Sequence, residues 1–123
     1  MSGERKPTVL IHSSKTGTML PEQIMGRTAS PHFVVTRFRG RFEDRKRRYV
    51  VTHRPTGRQL NPYAFDAVDD ARLAVRELLR RTKWMNWNVT NAPFHAAVHD
   101  WHDAASLAGG IRWSAPKKRK AAR

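Results

Sequence analysis

The sequence predicts an α+β fold: a small antiparallel β-meander of about three strands packed by one helix, followed by a second C-terminal helix and a disordered basic tail. Two observations carry this expectation. Residues 32–60 alternate side chains at strand period and are broken by Gly, Pro and Asn at turn positions. Residues 66–83 instead space Val68, Ala71, Val75, Leu78 and Leu79 as one helical stripe.

Residues 1–31 are rich in Ser, Thr, Gly and Pro, and only Thr8 to His12 reads as extended, so this segment is expected to be a mostly irregular arm. From His32 to Arg39 the residues become β-branched and aromatic. Val34, Thr36 and Phe38 fall on one face, and Phe33, Val35, Arg37 and Arg39 on the other, which predicts a strand with a basic side. Gly40 to Lys46 supplies a charged turn, and Arg47 to Arg54 forms the second strand of an antiparallel hairpin, with Tyr49, Val51 and His53 opposite Arg48, Val50, Thr52 and Arg54. Arg54-Pro55-Thr56-Gly57 has turn chemistry, so a third short strand is expected at Arg58 to Leu60, ended by Asn61-Pro62.

Asp66 is the expected N-cap of the first helix, with Asp69 and Asp70 in the first turn against the helix dipole, and the helix is expected to run to Lys83. Arg72, Arg76, Arg80 and Lys83 lie in one sector of its surface, where Glu77 can pair with Arg80 or Arg81. After Trp84 to Asn88 interrupts the pattern, Asn91 or Ala92 before Pro93 opens a second helix that stops at Gly109-Gly110. Its expected buried stripe is Phe94, Val98, Trp101, Ala105 and Ala108. The organisation read from the sequence is therefore an arm (residues 1–31), one α+β domain (32–113) and a disordered basic tail (114–123).

Charge points toward the class of function. The 123 residues carry 24 Lys and Arg against 10 Asp and Glu, a net of +14. Residues 37–58 alone hold nine cations against Glu43 and Asp44, a net of +7 built into backbone that is expected to be ordered. Such density repels itself unless a polyanion neutralises it, and nucleic acid is the commonest such partner. Arg outnumbers Lys seventeen to seven, which suits bidentate phosphate contact, although a genome rich in G and C produces the same bias.

The expected function is thus non-enzymatic binding of DNA or RNA through a basic sheet face. Arg37, Arg39, Arg41, Arg45, Lys46, Arg47, Arg48, Arg54 and Arg58 are the expected phosphate contacts. Arg72, Arg76, Arg80 and Lys83 on the helix, and Lys117, Lys118, Arg119 and Lys120 in the tail, are auxiliary. Pro116 to Lys120 also resembles a short nuclear localisation signal. The alternative is a small regulator or inhibitor, of the kind phages and plasmids encode, that binds an acidic surface of another protein.

Three strands followed at once by a helix resemble, in element order, the AP2-type and phage-integrase arm-binding domains. The likeness covers about fifty residues and includes the stretch Tyr-x-Val-x-His-x-Pro-x-Gly-Arg from Tyr49 to Arg58. It implies DNA contact through the sheet face; the second helix falls outside the pattern.

Other chemistry finds little support. The chain has no Cys, which excludes disulfides and thiolate metal sites. His95, His99 and His102 share one side of the second helix beside Asp103, but no HExxH accompanies them, so they are read as a polar flank or a pH-responsive patch and no metal or cofactor is expected. Lys15-Thr16-Gly17 lacks the companion motifs of penicillin-recognising enzymes, and no phosphate-cradling loop or nucleophile elbow occurs. Among the tryptophans, Trp101 is expected in the core, while Trp84 and Trp87 flank a linker and are expected either to wedge the two helices together or to make surface contact. The longest apolar run near the start, Val9 to Ile11, is far too short for a signal peptide or span, so no membrane role is expected. The expected location is the cytoplasm, with the nucleoid or nucleus if the partner is DNA.

Overall fold

A computed structural model of the chain describes residues 8–12, 18–38, 46–60, 62–88 and 94–112. Five antiparallel strands follow one another in both sequence and space: β1 (Thr8–His12), β2 (Met19–Arg27), β3 (Phe33–Arg37), β4 (Tyr49–His53) and β5 (Arg58–Gln59). The sheet curls until β1 comes against β5. A two-stranded ladder joins β6 (Tyr63–Ala64) to β7 (Ile111–Arg112). Helix α1 (Val68–Arg81) packs on the sheet and on α2 (Val98–Leu107), which is entered through a single 3-10 turn, Phe94–Ala97.

The α+β class holds, but the sheet is larger than three strands. Strand β1 coincides with Thr8 to His12, the one stretch of the arm read as extended, but β2 comes from residues expected to be irregular, so the folded unit reaches back to Thr8 rather than starting at His32. Strand β2 escapes sequence pattern because it contains Pro21 and Gly26. Structure tolerates both. The first half of β2 pairs with β1, Leu10 opposite Pro21, and only from Ile24 onward does it also meet β3, so a residue without an N–H sits where one edge needs none. Gly26 follows a bulge between Ile24 and Gly26. A Cβ there would lie 2.4 Å from Cγ1 of Val68, so the missing side chain lets the start of α1 lie against the sheet.

The register Phe33–His53, Val35–Val51 and Arg37–Tyr49 confirms the hairpin. Its faces are a correction. Phe33, Val35, Val51 and His53 turn toward the helices and are fully buried, packed with Phe65, Ala71, Ala74, Val75, Leu78, Trp87 and Trp101. Val34 on the other face is covered by Val9, Ile11 and Ile24, and Val50 by Phe38 and Ala64. Thr36 and Thr52, also on that face, satisfy one another with a 2.9 Å hydroxyl hydrogen bond. Neither face of the hairpin is left open to present a row of cations.

Helix α1 begins after Ala67 with no side-chain cap, because the Asp66 carboxylate is turned to Arg48 instead. It ends at Thr82, whose hydroxyl donates to the Leu78 carbonyl (2.7 Å) and accepts from the Trp87 indole N–H (3.1 Å). The expected opening of the second helix at residues 91–93 lies outside the described residues. Within α2, Trp101, Ala104 and Ala105 are buried, and Ala108 beyond its end is buried too, but Val98 is 54% exposed and does not belong to the stripe. The helix stops as expected: Gly109 adopts φ of 80°, and the Gly110 N–H returns to the Ala105 carbonyl (2.8 Å). The basic tail at 114–123 lies outside the described residues. Among the described residues no helix is long and apolar enough to cross a membrane.

Candidate nucleic-acid interface

The described residues hold thirteen Lys and Arg against seven Asp and Glu, a net of +6; the other +8 of the chain's +14 lies in the remaining residues. Arg39, Arg41, Arg45 and the tail cations Lys117, Lys118, Arg119 and Lys120 are among the latter and lie outside the described residues.

The remaining hairpin cations divide between the two ends of the sheet. Arg37 closes β3 opposite Tyr49, two residues from Arg47, and both guanidinium side chains are exposed, as is Lys46. Arg54 and Arg58 flank the turn at the other end, roughly 20 Å away along β4 at ~3.3 Å per residue. That turn is closed by Gly57 at φ 71°, whose N–H donates to the His53 carbonyl (2.8 Å). Among the described residues no carboxylate pairs with Arg37, Arg47, Arg54 or Arg58.

Arg48 is the correction within the set. It is 4% exposed, and its Nε donates to Asp66 Oδ1 at 2.9 Å, so the outward placement expected of it does not hold. Strand alternation alone put it outward; the curl of the sheet turned that face inward.

The helical ridge is partly committed as well. Arg80 donates to Glu77 at 2.8 Å, and this hydrogen bond holds the Glu77 carboxyl below its ordinary pKa. Arg72 lies 3.4 Å from Asp69. Arg76 and Lys83 are exposed, with no carboxylate partner among the described residues. Arg72 and Arg76 line a cleft of about 390 Å³ together with Thr28 and Ala29 of the β2–β3 loop. The same loop reaches the hairpin turn, since the Arg54 N–H donates to the His32 carbonyl (2.8 Å). The β2–β3 loop thus connects the cleft lined by Arg72 and Arg76 with the turn that carries Arg54 and Arg58, a rim of cations at one end of the sheet. Sequence spacing hides this rim, because its members come from three segments.

Behind Arg58 stands an aromatic cluster. Its guanidinium lies 5.8 Å from the centre of the Phe94 ring. Phe94 meets His53 edge-on at 5.1 Å and Trp87 at 5.8 Å, and Phe33 packs beneath at 5.1 Å from Trp87. His53 is fully buried: its Nε2 donates to the Trp87 carbonyl at 2.6 Å and its Nδ1 pairs with the Thr56 hydroxyl at 2.9 Å. Burial pushes the imidazole pKa below its ordinary value against the raising effect of the Trp87 carbonyl, and the nearby His32 lowers it further. Trp87 thus wedges the helices, while Trp84 is 62% exposed.

His95, His99 and His102 are exposed on α2 and its entry turn. His102 Nδ1 is hydrogen-bonded to the Tyr63 hydroxyl. Among the described residues no three His, Asp or Glu side chains are gathered to hold a metal ion. Set against known protein families, curated proteins and solved structures, the chain matches none.

Proposed function

We propose that this protein binds nucleic acid, as a binding protein and not an enzyme, through the cationic rim at one end of its curled sheet. Arg54, Arg58, Arg72 and Arg76 form the rim, and Arg37, Lys46 and Arg47 supply further phosphate contacts at the opposite end. The observation that carries this reading is the pair Arg54 and Arg58: two exposed guanidiniums held by one glycine-closed turn, without carboxylate partners among the described residues. Phosphate neutralisation supplies salt-dependent affinity without any base preference. The undescribed cations, which carry more than half of the net charge, add to the same attraction.

Fluorescence anisotropy with duplex DNA, single-stranded DNA and RNA of equal length, at several salt concentrations, tests the reading. Binding is expected to weaken steeply with salt, and the Arg54→Ala, Arg58→Ala double variant should lower the slope of log K against log salt by about 2 on duplex DNA. No binding to any of the three at low salt would refute it. An unchanged slope in the double variant would remove the rim from the interface.

A further inference from the structure

A cavity of about 200 Å³ opens beside Arg58, walled by Leu60, Trp87, Phe94, Val98 and Trp101. Its character differs from the rim. Apart from Gln59 the walls are apolar and largely aromatic, no carboxylate among the described residues lines them, and the cation beside them is Arg58, which already belongs to the phosphate-binding rim. Sites for drug-sized ligands span roughly 300–1,000 Å³, so this one has room for a single ring system. Phe94 is held by an edge contact to His53 and a tilted one to Trp87, so the wall needs little ordering before a ring stacks on it. The Trp101 ring closes another wall.

We infer that this cavity receives one unpaired nucleobase of a bound strand, an inference that rests on the nucleic-acid reading. The base stacks against Phe94. Arg58 holds the adjoining phosphate, which makes the occupant's charge complementary to the rim. Stacking of this kind tolerates any base, so the cavity selects unpaired strands without selecting sequence.

The test uses the whole 123-residue chain and two single-stranded oligomers of equal length and equal phosphate count, oligothymidylate and its fully abasic counterpart. Two variants accompany it, Val98→Glu and Leu107→Glu. Both positions are exposed on α2, at 54% and 58%, and both changes add one negative charge, but only Val98 lines the cavity. The wild type is expected to bind oligothymidylate on the order of tenfold more tightly than the abasic oligomer. Val98→Glu should erase that preference and Leu107→Glu should keep it. Equal affinity of the wild type for both oligomers would overturn the base pocket while leaving the phosphate rim standing; loss of the preference in both variants alike would do the same. A mononucleotide, thymidine monophosphate, that binds as tightly as the oligomer would assign the cavity to a free nucleotide and overturn the proposal. Failure of both oligomers to bind would bring down the nucleic-acid reading and the pocket together.

Discussion

Arg48 Nε lies 2.9 Å from Asp66 Oδ1, joining the start of β4 to the approach of α1 across eighteen residues of sequence. The guanidinium is buried while the carboxylate side chain is 57% exposed, so the pair seals the edge of the core. Arg47, the next residue back, points to solvent. Arg48→Ala should therefore destabilise the fold, by about 2–3 kcal/mol in urea denaturation, yet leave the salt slope of nucleic-acid binding unchanged. Arg47→Ala should do the reverse, lowering that slope by about 1 with little change in stability. Equal effects of the two on the slope would contradict the assignment of Arg48 to structure.

Gly26 and Val68 are coupled by the absence of a side chain. Val68 is β-branched and cannot swing away cheaply, so Gly26→Ala should cost about 1–3 kcal/mol through the 2.4 Å approach to its Cγ1. Val68→Ala in the same background should recover part of that loss. Strict additivity of the two changes in a double-mutant cycle would show that the contact is relieved by some other movement.

His53 gives the fold a pH dependence. Its folded pKa is lowered from an ordinary value near 6.5, so the unfolded chain binds the proton more readily. Stability contributed by the neutral ring is complete above about pH 6.5 and declines as pH falls below it, levelling only once the folded ring is itself protonated. Urea midpoints measured between pH 7.5 and about pH 5.5 should fall in the wild type, and the fall should be smaller in His53→Gln. The same decline in both proteins would move the effect to other histidines.

Trp87 and Trp84 are three residues apart and differ in burial, at 5% and 62% exposed. Trp87 closes the space between Phe33, Phe94 and Thr82, so Trp87→Ala should cost about 3–5 kcal/mol. Trp84→Ala should stay within about 0.5 kcal/mol. The order of the two urea midpoints is the deciding observation.

Removal of residues 1–31 tests the larger sheet. Strands β1 and β2 cover Val34 with Val9, Ile11 and Ile24 and pair the edge of β3. A fragment beginning at His32 would expose that apolar face together with unpaired backbone groups, a template for aggregation. It should elute as aggregates in size-exclusion chromatography; a monomer with the native circular-dichroism spectrum would show that the two strands are dispensable.

The sequence by itself determined the elements whose cause is local. The β3–β4 hairpin, the β4–β5 turn, α1 and the stop of α2 at Gly109 were legible because side-chain period, Pro-Gly chemistry and a positive-φ glycine act within a few residues. The net charge was legible for the same reason, and so was the pairing of Glu77 with Arg80 one helical turn away. The buried stripe of α1 through Ala71, Val75 and Leu78 was legible too, whereas tertiary structure alone decided that both faces of the hairpin are covered. Strand β2 forms because two neighbours pair with it in halves, despite Pro21 and Gly26. Arg48 is buried because the sheet curls and Asp66 arrives from eighteen residues away, taking that carboxylate from the helix cap where local pattern had placed it. The cationic rim and the aromatic cavity beside it belong to this second class, since the curl and the docking of α2 bring their residues together from separate stretches of the chain.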